Sequence, residues 1–317
     1  MQNKAIFLMG PTAVGKTELA LRLGVDYPIE IISVDSALIY RDLNIGSAKP
    51  TAEEMVRVPH HLIDILSPLD NYSVADFLRA CNQEIIAINQ RGNLPILVGG
   101  TMMYYNALIN GISQLPEADS SLREQLTLEF QQVGNLAMHQ RLVELDPICA
   151  AKIKPNDVQR VQRALEVCIL TGKPMSLAQQ EHKLPGLTNC NYLPLAIIPT
   201  NRELLHRRIN LRFEQMLQQG FINEVVQLQL KYPNLSAEHN SMRCVGYRQV
   251  WDYLAGTIDL TQLREQGMAA TRQLAKRQIT WLRSMDVIAI DDPALELANL
   301  EQQIKALLPQ GKMRKLA

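Results

Sequence analysis

Over the first hundred positions, short runs of continuous apolar residues alternate with stretches whose apolar positions recur every three or four residues. The run AIFLMG predicts a strand, IEIISVDS a second one ending on Asp35, and LPILVGGT a third. Unbroken apolar runs of this length suit a sheet covered on both faces. Between them, TELALRL and VADFLRACNQEIIAINQRG carry helical periodicity. Strand, helix and strand in this order predict an α/β fold with a parallel sheet flanked by helices, whose ligands lie outside the carboxyl ends of the strands. Residues 11–17, 35–38 and 99–101 are therefore expected to meet in one crevice.

After Gly111 the pattern changes. The stretch from QLPEADSS to LTGKP is helix-forming, broken by Pro147 and Pro155 and stopped at Gly172, Lys173 and Pro174. A glycine just past the last turn with a proline beyond it is a C-terminal helix signal. NYLPLAIIP then returns to strand character, and VIAIDD at 287–292 is a fifth candidate strand. The helices between them centre on ELLHRRINLRFEQMLQQGF and AATRQLAKRQITWLR. The expected organisation is a core in two segments, 1–113 and 188–317, with an inserted all-helical subdomain at 114–187 and a loose tail in PQGKMRKLA.

Composition adds a soluble globular character, with 47% hydrophobic and 20% charged residues. MQNKAIF enters the first strand almost at once, and no apolar run approaches the length of a membrane span. Neither a signal peptide nor a membrane segment is expected, and a cytoplasmic location is. Cys81, Cys149, Cys168, Cys190 and Cys244 are scattered and form no CxxC pair, which suits buried thiols in a reducing compartment and not a zinc knuckle or a disulfide frame.

The net charge is zero, but the charges are segregated. Between positions 240 and 283, Arg243, Arg248, Arg264, Arg272, Lys276, Arg277 and Arg283 stand against Asp252, Asp259 and Glu265. From 111 to 150 the balance reverses, with Glu117, Asp119, Glu124, Glu129, Glu144 and Asp146 against Arg123 and Arg141. A basic segment in a neutral protein is a footprint for a polyanion, and a solvated helix face is the competing explanation. At about 100° per residue, Arg272, Lys276 and Arg283 fall within an arc of about 40° on one helix.

The most specific chemical signal is GPTAVGKT at 10–17, which matches GxxxxGK[ST] between a predicted strand and a predicted helix. Gly10 and Gly15 let backbone amides turn inward, the helix presents its positive end, Lys16 adds a point charge, and the Thr17 hydroxyl suits Mg²⁺. Such a loop recognises phosphate oxygens and no base. No Asn-Lys-x-Asp guanine reader is present, and the third strand ends in Gly99, Gly100 and Thr101, where many NTPases place a magnesium-binding aspartate. Asp35 either caps a helix over SALIYRDL or takes a proton from an acceptor. His60 and His61 are adjacent, without the spacing of a metal site, and suit packing or a loop hydrogen bond. Among Tyr247, Trp251, Tyr253 and Trp281, two or more are expected in a core, although any of them can stack on a base.

The set GPTAVGKT, ISVDSALIYRDLNIGSAKP, PHHLIDILSP, LVGGTMMYYNALINGI, PNDVQRVQRALEV, SMRCVGYRQVWDYL and ATRQLAKRQITWLR resembles the tRNA dimethylallyltransferases, or tRNA isopentenyltransferases, of bacterial type. The similarity runs from residue 5 to about 285 in the same order, with a P-loop kinase-like core and the same kind of insertion. No cysteine follows Cys244, so the C-terminal zinc finger of eukaryotic relatives is not expected.

The resemblance implies transfer of a dimethylallyl group from dimethylallyl diphosphate to the exocyclic amine of the adenosine 3′-adjacent to a tRNA anticodon, with release of pyrophosphate. It implies that Gly10, Pro11, Thr12, Ala13, Val14, Gly15, Lys16 and Thr17 hold the diphosphate with Mg²⁺ on Thr17. Asp35 matches the general base, Thr101 a position near the acceptor or the diphosphate, and Arg212 an arginine on the diphosphate, its alternative being a surface charge on an amphipathic helix. For the anticodon stem-loop it implies contacts from Asp35, Ser36, Ala37, Leu38, Thr101 and Arg123. It adds Gln159, Arg160, Val161, Gln162 and Arg163 from the insertion, and Arg243, Cys244, Val245, Gly246, Tyr247 and Arg248 after it. The last set is Lys276, Arg277, Gln278, Ile279, Thr280, Trp281, Leu282 and Arg283. A monomer is the expected state. Two alternatives use the same residues: a small-molecule phosphotransferase with ATP in the loop, and a non-catalytic RNA-binding protein indifferent to Asp35.

Overall fold

In the computed structural model, which describes residues 2–291 and 297–307, the apolar runs become strands because both of their faces are covered. Strand β1 (Asn3–Met9) leads to α1 (Lys16–Asp26), β2 (Ile29–Val34), α2 (Ala52–Arg57), β3 (His60–His61), α3 (Val74–Gln90), β4 (Leu94–Gly99) and α4 (Met102–Asn110). The chain continues through β5 (Ile112–Ser113), α5 (Ser120–Leu145), α6 (Pro147–Ala150), α7 (Val158–Thr171), α8 (Met175–Glu181) and β6 (Lys183–Leu184). It ends with β7 (Cys190–Ile197), α9 (Arg202–Gln218), α10 (Phe221–Lys231), α11 (Tyr247–Leu254), α12 (Leu260–Leu282), β8 (Ile288–Ile290) and α13 (Leu297–Leu307). The expected tail PQGKMRKLA lies outside the described residues. Among those described, no helix is long and apolar enough to cross a membrane.

The chain divides into two compact units, one formed by Ala107–Gly186 and the other by the remainder. In the larger unit, six parallel strands run in the order β3-β2-β4-β1-β7-β8. Ile6, Leu8, Ile29, Ile31, Ile96 and Val98 bury one face of the sheet against Leu19, Ala20 and Leu23 of α1. Helix α3 packs against β1, β2 and β4. Its buried Phe77, Leu78, Cys81, Ile85 and Ile88 follow the helical repeat, and a Ser73–Asp76 capping box starts it. The carboxyl ends of the neighbouring strands β2, β4 and β1 deliver Asp35, Thr101 and the 10–17 loop to one edge of the sheet.

Strand β3 has no counterpart among the expected strands. His60 and His61 pair with Ile31 and Ile32, and their rings are structural. His61 Nε2 lies 2.7 Å from the buried Glu30 carboxylate, which also accepts from Arg91 and Asn93, and His60 Nδ1 lies 2.7 Å from the Val58 carbonyl. Burial alone would raise the Glu30 pKa. The hydrogen bonds from Arg91, Asn93 and His61, with the charge of Arg91, outweigh it and bring the carboxyl to about 2.

The smaller unit is helical apart from the two-residue pair β5–β6. Leu126, Phe130, Met138, Leu142, Val161, Ala164 and Leu165 belong to its core. Gly134 interrupts α5 with φ 80° and ψ 167°. Pro147 opens α6 behind the Asp146 cap, and α7 ends on Gly172 in the left-handed conformation at φ 67°.

Candidate active site

The loop after β1 is shaped by two residues with positive φ, Ala13 at 63° and Gly15 at 96°. Gly10 is tightly fitted: a Cβ there would lie 3.0 Å from Val14 Cγ1 and 3.1 Å from the Ile197 carbonyl oxygen. Gly15 occupies the cap of α1, and no side chain bonds the first-turn amides. Those amides and the helix's positive end can therefore receive an anion.

Lys16 folds back over the loop, its Nζ donating to the Pro11 carbonyl at 2.7 Å. Burial lowers its pKa to about 7 from an ordinary 10.5; Asp35 pulls it upward and Arg212 pushes it down. Arg212, on α9, is likewise depressed by burial and partly supported by Asp35. These three charges thus share one crevice, where a desolvated lysine gains from any anion that joins it. Thr17 stands exposed in the first turn of α1. Its hydroxyl meets no protein partner among the described residues, and those residues contain no cluster of three or more His, Cys, Asp or Glu able to hold a metal ion. A magnesium ion here would use the Thr17 hydroxyl and the oxygens of a bound phosphate, a ligand set that suits an ion bound by few protein groups.

Asp35 follows β2 directly. Its Oδ1 accepts from the amides of Ala37 at 2.8 Å and Leu38 at 3.4 Å. That is a local turn and not a helix cap, because SALIYRDL forms no helix. Thr101 fixes the turn from the neighbouring strand: its Oγ1 accepts from Ser36 N at 3.1 Å, and its own amide donates to the Val34 carbonyl at 3.1 Å. The remaining oxygen of Asp35 meets no hydrogen-bond donor among the described residues.

Gln278, expected among the RNA contacts of α12, lies buried with partners that the sequence did not disclose. Its Oε1 accepts from Thr12 N at 2.9 Å, and its Nε2 donates to the Gly100 carbonyl at 2.9 Å. It is buried and tightly seated, since a Cβ on Gly100 would lie 2.3 Å from Nε2. The carboxamide braces the phosphate loop against the end of β4, immediately before Thr101. One signal was present: Gln278 shares the buried face of α12 with Ala275 and Leu282, a polar residue in an apolar i, i+3, i+7 row.

The remaining positions divide by exposure. Lys276, Arg277, Thr280, Trp281 and Arg283 are exposed on and just after α12, while Ile279 is half-buried and Leu282 belongs to the core. Arg243 pairs with Glu238, Arg248 is exposed, and Cys244 and Val245 are half-buried. Gly246 is buried at φ 93°, and Tyr247 is buried with its hydroxyl on Glu224 at 2.6 Å. Trp251 and Tyr253 pack on the cluster that contains Tyr247.

In the smaller unit, Gln159 and Arg160 are exposed and Val161 is fully buried. Gln162 donates to the Arg123 carbonyl at 2.9 Å. Arg123 and Arg163 both grip the buried Glu166, at 3.0 and 2.7 Å.

Fold and crevice together define a P-loop kinase-like α/β protein in which Lys16 of the 10–17 loop shares a crevice with the acidic Asp35. The family model described as IPP transferase matches residues 38–285. The tRNA dimethylallyltransferase of Chromobacterium violaceum is 55% identical over 299 residues, covering 94% of this chain and 91% of that one. That of Neisseria meningitidis serogroup A is 50% identical over 306 residues, or 96% of each chain. The solved tRNA isopentenylpyrophosphate transferase of Bacillus halodurans superposes with a TM-score of 0.69 at 36% identity, covering 97% of each chain. A eukaryotic dimethylallyltransferase solved while acting on tRNA gives 0.77 at 28% identity, covering 96% of this chain and 78% of that one. The chain belongs to the IPP transferase family.

Proposed function

We propose that the chain transfers a dimethylallyl group from dimethylallyl diphosphate to the exocyclic amine of the adenosine 3′-adjacent to the anticodon of tRNA. As a member of its family it is a tRNA prenyltransferase. The observation that carries the finer reading is the crevice itself, in which the loop after β1, with Lys16 and with Arg212 of α9, faces Asp35 at the end of β2, two strands away.

The amine nitrogen forms a bond to the allylic carbon as the carbon–oxygen bond to diphosphate breaks, and the bonding pair leaves with pyrophosphate. Negative charge grows on the leaving oxygens, where the loop amides of 10–17, Lys16 and Arg212 stabilise it. Lys16 exchanges its Pro11 carbonyl for a phosphate oxygen, an anion that favours its charged form. Asp35 accepts the amine proton on the oxygen its turn leaves available, and Thr101 keeps that turn in place. Bound at Thr17, Mg²⁺ would neutralise part of the diphosphate charge.

A loop adenine reaches such a crevice only out of its stack, so the rest of the RNA is held by its backbone. Exposed Lys276, Arg277 and Arg283, with Arg248 and Arg160, suit that role.

The test is mass analysis of nucleosides from unmodified tRNA after incubation with the protein, Mg²⁺ and either dimethylallyl diphosphate or ATP. A five-carbon gain on adenosine, only with the prenyl donor and lost in Asp35→Ala, is the expected result. No gain alongside ADP formation would replace this reading with a phosphotransferase.

A further inference from the structure

The arginines differ in what they touch. In Ala107–Gly186 all four, Arg123, Arg141, Arg160 and Arg163, face a carboxylate. On α9, Arg202, Arg207 and Arg208 are exposed, and none meets a carboxylate or hydrogen-bond partner among the described residues. A guanidinium held by a buried acid, as Arg123 and Arg163 are by Glu166, offers little new attraction to a phosphate, whereas an unpaired one offers its whole fork.

Helix α9 is oriented by its packing. Leu205 and Ile209 are buried in one cluster with Ala275 of α12, and Ala13 of the phosphate loop packs on the same cluster. Two cross-links run the helices antiparallel: Arg272 Nη1 donates to Asn210 Oδ1 at 2.8 Å, and Arg264 Nε lies 3.5 Å from Glu214. One helical turn beyond the Arg272 bond, the repeat sets His206 opposite Lys276. A further turn brings Arg202 level with Thr280, with Arg283 nearly one turn farther along α12 at its C-cap, while Arg207 lies on the outer flank beside His206. Glu203 is the one acid in that stretch, and it sits in the first turn, where the helix's own positive end offsets it. The cations Arg202 and Arg207 on α9 and Arg272, Lys276 and Arg283 on α12 are spaced by about 6 to 11 Å along their helices, a row suited to a chain of phosphates more than to a single small anion.

We infer that the solvent-facing seam of α9 and α12 is a binding surface for the phosphate backbone of RNA, with Arg202 and Arg207 as contacts. The inference rests on the function proposed above and extends its RNA surface from α12 to α9.

The test titrates unmodified tRNA into the full chain between about 50 and 200 mM salt. It compares wild type, the Arg202→Gln/Arg207→Gln double variant, and Arg22→Gln, an equally exposed and unpaired cation on α1. Each phosphate contact contributes a salt slope of about 0.7 to 0.9, so the double variant is expected to be shallower by about 1.5. Its melting temperature and its affinity for inorganic diphosphate stay at the wild-type values, and Arg22→Gln keeps the wild-type slope. A double variant with an unchanged slope, or an Arg22→Gln variant that loses as much, overturns the surface while leaving the proposed function intact. A wild-type chain with no affinity for tRNA overturns the proposed function and the surface with it.

Discussion

Gln278 accepts the Thr12 backbone N–H at 2.9 Å, so one side chain of α12 fixes an amide of the phosphate loop. The same carboxamide holds the Gly100 carbonyl, which ties the donor side of the crevice to the strand end that carries Thr101. In Gln278→Met, a side chain of similar length, both bonds are lost. The KM for the prenyl donor is expected to rise roughly tenfold, equivalent to about 1.4 kcal/mol, with a smaller change in kcat. Steady-state kinetics with a parallel melting curve check this, and a KM within twofold of wild type removes the brace from the mechanism.

Lys16 has a second measurable consequence. Because folding lowers its pKa from 10.5 to about 7, the folded state binds this proton less readily than the unfolded chain does. Lys16→Met is therefore expected to stabilise the ligand-free protein. The gain is full below pH 7 and fades as pH rises toward 10.5, where lysine is neutral in both states. The same variant loses diphosphate affinity by roughly tenfold to a hundredfold, the range for a charge-assisted hydrogen bond. Thermal scans across that pH range and calorimetry with inorganic diphosphate report the two effects separately.

For Asp35, substitution by Asn keeps an acceptor for the Ala37 amide and removes the base. A fall in kcat of roughly a hundredfold to ten-thousandfold is expected, with diphosphate and tRNA affinities close to wild type. Single-turnover rates at saturating substrates are the measurement. A slow step that keeps its wild-type rate would exclude proton transfer to Asp35.

Glu166 anchors the smaller unit. Burial disfavours its charge, but hydrogen bonds from Arg163, Arg123 and the Asp119 amide outweigh that cost and hold its carboxyl below the ordinary value of 4.5. A lowered carboxylate contributes stability that is present above 4.5 and is lost as pH falls through the folded-state value. Glu166→Gln is expected to cost roughly 1–2 kcal/mol at neutral pH, tempered by the partial exposure of both arginines. Denaturant unfolding of the full chain, followed by hydrogen exchange in α5 and α7, locates the loss.

Much of this architecture was legible because its signals are local. Five strands announced themselves as apolar runs, and the phosphate loop as eight consecutive residues. What escaped depends on distance along the chain or on brevity. Strand β3 has two residues, too few to show a period, and its histidines are explained only by Glu30 on the neighbouring strand. The segment after Asp35 resembles a helix in sequence, yet Thr101, sixty-five residues away, holds the Ser36 amide in a turn. Gln278 and Thr12 are separated by 266 positions, so no window along the sequence contains both. The hold of Arg123 on Glu166, forty-three residues away, was hidden for the same reason, whereas Arg163 is only three residues from Glu166 on α7.

The strand order has a consequence for the protein's behaviour at high concentration. The well-formed strands β1, β2, β4 and β7 are all interior, and the outermost positions fall to β3 with two residues and β8 with three. A parallel sheet this apolar would template the addition of foreign strands if a long edge stood open. Among the described residues the two border strands offer only two and three residues of outer backbone, and they pair with the strands inside them only at Ile31–Ile32 and Leu195–Ile197, so the margins of this sheet are set by partial cover and not by long strands.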